Sequence, residues 1–226
     1  MQGNTHRVGG MACALTGYVV LERKGMLIRD VSPLLQLAIM YPFAIYGSIF
    51  PDLDHNQDCI PSRDIVSVAI NRLLHLTSGI RRKSGGKLSN PVLAVFDAQH
   101  RSWQTHSDLF LLFCVALYSG FMSEGVSTAN DVILKLIFTG FMLGVISHMV
   151  LDMLTPAGIW CVGLSALSGA TKRESIPRKI RLVPKSKFFA TGGAWETIVR
   201  YLLWAVCIYV FCTIIYGMLP VDMLSR

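Results

Sequence analysis

Three apolar runs decide what this chain can become: residues 34–50, 132–154 and 198–219. At ~1.5 Å of rise per residue, the second and third can cross a hydrocarbon core of roughly 30 Å as helices. The first is near the minimum length and gains a residue or two from its flanks. Two further runs, 8–21 and 109–122, hold fourteen residues each, a length that also suits a buried or interfacial helix. Of the 226 residues, 52% are hydrophobic and only 15% charged, whereas a soluble domain carries about 25% charged residues. The expected architecture is a single all-α membrane-embedded domain over residues 1–226.

Charge placement orders the runs. The chain carries +7 overall, with seven Lys/Arg in residues 56–107 and seven more in 155–196. Residues 123–131 contain none, but include Glu124 and Asp131. The positive-inside rule puts both basic loops in the cytoplasm and the acidic turn outside. Runs 109–122 and 132–154 must connect these loops, so the weaker of them becomes a span. Run 34–50 then enters from outside. Run 8–21 returns the N-terminus to the cytoplasm, against the charge of Arg23, Lys24 and Arg29 in a short outer loop. The expectation is five spans, or four if 8–21 does not cross, with basic cytoplasmic segments at 56–99 and 155–196. The RRKSGGK run at 81–87 reads as a solvated basic turn, because it lacks the glycine spacing of a phosphate-binding loop. Six cysteines without a CxxC pair give no disulfide framework. No basic segment with a small-residue cleavage motif opens the chain, so a removable signal peptide is not expected.

On this topology nearly all the histidines gather at one membrane face. His6 precedes the first span, and Asp52, Asp54 and His55 (FPDLDH) follow the second. His100 and His106 (HRSWQTHS) precede the third, and His148 and Asp152 (SHMVLDMLTPAG) lie at the inner end of the fourth. Only His75, which has no acidic neighbour, reads as the polar side of an amphipathic helix. His148 and Asp152 stand at i and i+4, so they share one helix face. An ionisable pair in an apolar helix is costly unless partnered or wet.

Imidazole with carboxylate suits zinc first, with manganese or iron as alternatives, and the lack of cysteine argues against a structural thiolate site. The candidate metal ligands are His6, Asp52, His55, His100, His106, His148 and Asp152, enough for one or two ions that would activate water. Arg101 is placed to hold a phosphate through its planar fork, and Asp54 and Glu196 are the remaining catalytic candidates. Glu196 suits an acid/base role or an outer carboxylate, and equally a helix-start residue favoured by the dipole. Thr105 and Ser107 are candidates to orient ligands from outside. Ser107 follows His106 directly and no nucleophile elbow is present, so a Ser/His/Asp triad is not supported.

An early His, then PDxDH, THS and SHxxxDxLTPxG, in this order, resembles the YdjM-like family, LexA-regulated inner-membrane-associated proteins described as metal-dependent hydrolases. FPDLDH, THS and SHMVLDMLTPAG are close matches, and IRLVPKSKF followed by Glu196 resembles the family's later basic segment and Glu. The likeness covers most of the chain and implies a bacterial inner-membrane location. Two features depart from it. The family's HRGxTHS is one residue shorter than HRSWQTHS, which puts the reach of either His100 or His106 in question, and Asn56 stands where a Pro often follows PDxDH.

Together these features point to a hydrolase of a phosphoester, including a lipid one, at the cytoplasmic membrane face. The basic loops would gather anionic lipid head groups. The alternative is a non-enzymatic membrane scaffold or partner-binding protein held by a structural metal or polar cluster. A transporter ranks last, because the polar residues gather at one face and no inverted repeat is evident. Specific nucleic-acid binding is not expected, since the basic loops lack interleaved aromatics.

Overall fold

The structure, a computed structural model, describes residues 3–25, 31–54, 65–74, 105–125, 128–161, 179–184 and 186–218. The described part of each expected apolar run lies almost wholly in a helix: α1 (Gly3–Arg23), α2 (Pro33–Ile49), and, after a further helix α3 (Ile65–Leu74), α4 (Asp108–Ser123), α5 (Ala129–Met153) and α6 (Ala194–Met218). A 3₁₀ turn, Pro51–Asp54, follows α2, and a second, Lys187–Phe189, precedes α6. The fold is all-α as expected, and the extended structure among the described residues amounts to a ribbon of two antiparallel two-residue strands, β1 (Ile159–Trp160) and β2 (Lys179–Ile180), with one isolated bridge between Ser107 and Trp160. Gly158 enters the ribbon at φ +61, a backbone that favours glycine, and a Cβ there would meet the Ile180 carbonyl.

Local chemistry sets the helix starts. Ser32 accepts from the amide of Leu35 ahead of Pro33, Ser107 accepts from Phe110 N at the start of α4, and Thr128 forms a capping box with Asp131 at α5. At the other end of α5, the Thr155 hydroxyl donates to the Asp152 carbonyl at 2.8 Å.

Helices α2 and α5 form the most intimate pair, with α1 against both, α6 against α1 and α4 against α5. Glycine makes the α2–α5 approach possible. A Cβ on Gly47 would strike the Phe141 carbonyl, on Gly140 the Met40 carbonyl, and on Gly144 the Ala44 carbonyl. Gly140 and Gly144 form a small-xxx-small pair, the pattern that lets membrane helices touch backbone to backbone. A second apolar core joins Val8, Ala12, Leu15 and Tyr18 of α1 to Leu37 of α2 and to Cys207 and Ile214 of α6.

Beside its apolar core, the bundle buries a set of polar side chains and exposes large apolar ones. His6, Gln36, His148, Asp152 and Glu196 are buried, while Phe113, Tyr201, Ile208 and Phe211 are exposed. Residues Ala129–Met153 and Ala194–Gly217 are long and apolar enough to cross a membrane, and only 17% of the second one's most apolar stretch is covered by protein. So large an apolar surface calls for lipid or a partner. Helices α2 and α4 are apolar but shorter.

Candidate metal centre

Five side chains from four separate segments meet at one end of the bundle. His6 comes from the first turns of α1, Asp52 from the 3₁₀ turn after α2, His106 from the residue pair before α4, and His148 and Asp152 from the last turns of α5. All but Asp52 have no solvent exposure, and Asp52 is 6% exposed. His6, Asp52 and His148 form one compact donor group, and His106, His148 and Asp152 another.

The surrounding backbone fixes which atoms face inward. The Ser48 carbonyl can only accept, so His148 donates to it from Nδ1 at 2.7 Å. That leaves the Nε2 lone pair for the site. His106 Nδ1 lies 2.9 Å from the Thr105 hydroxyl, and with Nδ1–H donating there, its Nε2 also presents a lone pair. The two Nε2 atoms are 3.1 Å apart, a repulsive arrangement unless a proton or a cation lies between them. The THS segment is held by Trp160, whose amide donates to the His106 carbonyl at 2.7 Å. The 3₁₀ turn carrying Asp52 is held by Asn71 of α3, which donates to the Leu53 carbonyl at 2.6 Å.

Interatomic distances test whether the set fits a metal. His106 Nε2 is 3.4 Å from Asp52 Oδ1 and 3.5 Å from Asp152 Oδ2. His6 Nε2 is 3.5 Å from Asp152 Oδ1, and His148 Nε2 is 3.6 Å from Asp152 Oδ2. Two longer separations, both 3.9 Å, run from His6 and His148 to Asp52. These exceed an N–H···O hydrogen bond of about 2.7–3.2 Å. Donors about 2.0–2.2 Å from a zinc-sized ion stand about 2.8–3.6 Å from one another across a coordination polyhedron, and most of the observed separations lie in that range. Among the described residues, no hydrogen bond satisfies either ring nitrogen of His6 or Oδ1 of Asp52, although all three atoms are buried. Two buried carboxylates without a cation would also be costly. The residues therefore fit a divalent ion.

Burial alone would raise the carboxyl pKa of Asp52, but His148, His106 and His6 facing it outweigh burial and hold it well below the usual carboxylate range.

The remaining candidates divide. Glu196 is 3% exposed at the start of α6, accepting from the Thr5 hydroxyl at 2.7 Å and from the Gly192 amide at 2.6 Å. Thr5 immediately precedes His6, so this carboxylate ties α6 to α1 beside the cluster. Asp54 lies in the 3₁₀ turn with Asp52. His55, His100 and Arg101 lie outside the described residues, as does the 81–87 basic run. The reading of residues alone missed the Ser48 carbonyl and Asn71. A backbone acceptor leaves no mark in residue type, and one Asn in a helix has no distinguishing spacing.

No curated protein and no solved structure matches the chain. The model of the YdjM inner membrane protein family matches residues 1–221, nearly the whole chain and every segment that contributes to the cluster. The chain therefore belongs to the YdjM inner membrane protein family.

Proposed function

We propose that this protein is a multi-pass membrane hydrolase, dependent on a divalent metal and acting on a phosphoester at the cytoplasmic face. In this reading α1, α2, α4, α5 and α6 are five spans, and the cluster end of the bundle faces the cytoplasm. The observation that carries the reading is the convergence of His6, Asp52, His106, His148 and Asp152 at ligand-to-ligand spacing. A bound divalent ion, zinc first, would supply a lowered water pKa and polarisation of a phosphoryl oxygen.

The chain's own groups do the rest. Ser48 and Thr105 orient the imidazoles, and Asp52 and Asp152 supply negative charge to hold the cation. Arg101 would neutralise the phosphate, and Asp54 and Glu196 are the candidate proton carriers. A lipid substrate has further support in an apolar cleft of about 450 Å³ between α1, α2 and α6, lined by Met11, Leu37, Tyr41, Trp204 and Phe211.

The test is hydrolysis of a panel of phospholipid and nucleotide phosphoesters by detergent-purified protein. Activity lost on chelation and restored by Zn²⁺ or Mn²⁺ is the expected result. A metal-loaded protein inert on the whole panel would overturn it.

Full burial of four of the five side chains favours a second reading, in which the ion only staples helix ends in a membrane scaffold. Metal removal would then lower the melting temperature of a protein that turns nothing over.

A further inference from the structure

The five donors do not surround one point. His6 and His148 stack face to face, with ring centroids 3.9 Å apart and planes only 17° from parallel. A ring nitrogen binds a metal along its lone pair, which lies in the ring plane. An ion about 2.1 Å from both Nε2 atoms would sit midway between the stacked rings, roughly 1.8 Å out of each plane at van der Waals spacing. Neither lone pair would point at it. One ion cannot serve both imidazoles well.

The carboxylates divide in the same way. Asp152 turns Oδ1 to His6 at 3.5 Å and Oδ2 to His106 and His148 at 3.5 and 3.6 Å. Asp52 turns Oδ2 to His6 at 3.9 Å and Oδ1 to His106 and His148 at 3.4 and 3.9 Å. Each therefore faces His6 with one oxygen and the His106–His148 pair with the other. Those two rings meet edge to face at 63°, with their Nε2 atoms 3.1 Å apart, as two ligands on a shared ion would.

We infer that the cluster holds two divalent ions bridged by Asp52 and Asp152, one on His6 and the other on His106 with His148. The inference rests on the metal reading above and goes beyond it. Two-metal hydrolytic sites hold their ions about 3.5–4 Å apart, and the ligand spanning both ions is an oxyanion such as a phosphoester. The two positions are unequal. The His106–His148 ion has two imidazoles and two carboxylate oxygens, whereas the His6 ion has one imidazole and two oxygens. The first fills before the second.

The experiment is Mn²⁺ titration of the metal-stripped full chain in detergent, following bound metal per chain and the electron paramagnetic resonance spectrum. The first equivalent should give an isolated-ion spectrum and the second an exchange-coupled one. His6→Gln, which keeps side-chain bulk, should stop at one uncoupled ion. Saturation of the wild type at one uncoupled ion would overturn the two-ion arrangement and leave the metal reading standing. A stably folded wild type that binds no Mn²⁺ would overturn both. His6→Gln that still reaches a coupled pair would overturn the assignment of His6.

Discussion

The Ser48 carbonyl accepts a hydrogen bond from Nδ1 of His148 at 2.7 Å, across 100 residues of sequence. It exists because α2 and α5 lie backbone to backbone, with Gly144 against the Ala44 carbonyl and the Ser48 amide. The orientation of a candidate ligand thus depends on a glycine one helical turn away from it.

Gly144→Ala should therefore separate α2 from α5, at a cost of about 1–3 kcal/mol, as for other overpacked cores. It should weaken metal retention without touching any ligand. Gly120 on α4 has open space where its Cβ would be, so Gly120→Ala should leave the melting temperature unchanged or slightly raised. Thermal unfolding of both variants in detergent, with metal content alongside, checks this. Equal stability of the two would contradict the close-packing account.

Thr5 and Glu196 make a second long-range tie, 191 residues apart in sequence. Thr5→Val keeps the side-chain shape and removes the donor, leaving a buried carboxylate oxygen short of one hydrogen bond. The expected loss is about 1–3 kcal/mol. Thr5→Ser keeps the hydroxyl and should recover most of that loss. Melting curves that rank wild type, Ser and Val in this order support a clamp beside His6. A Val variant as stable as wild type would show that the contact contributes nothing.

The depressed carboxyl pKa of Asp52 has a definite sign in the metal-free protein. A folded value below the unfolded one means that the stabilisation is complete above about pH 3.9 and is lost as pH falls toward the folded value. With chelator present, the stability curves of wild type and Asp52→Asn should run parallel from pH 5 to 8. Below about pH 4 the wild type should fall more steeply. Curves that diverge near neutrality instead would place the titration elsewhere.

Residue pattern carried much of this arrangement. His148 and Asp152 were legible because i, i+4 spacing on an apolar helix puts two expensive groups on one face. His6 and Asp52 could be placed beside them only through topology, since the charge of the loops orders the helix ends. Spacing could not choose between His100 and His106. The structure brings in His106 through Thr105 and the Trp160 amide, a contact made across the chain by β1. The Gly140–Gly144 spacing is a helix-contact signal, but both glycines lie inside a run whose hydropathy alone implies a helix, and hydropathy does not say which face meets a neighbour. Helix α3 turns Ser67 and Asn71 inward and leaves Ile65 and Val66 exposed. Its partners are the Tyr46 hydroxyl and the Leu53 carbonyl, which no local pattern announces.

Metal content per chain, by elemental mass spectrometry on detergent-purified wild type and Asp152→Ala, tests the central claim most directly. Asp152 faces all three imidazoles of the cluster, so its loss should remove most of the bound metal. The account predicts transition metal in the wild type and its depletion in the variant. A wild type that stays folded and metal-free after supplementation with zinc, manganese and iron would contradict it.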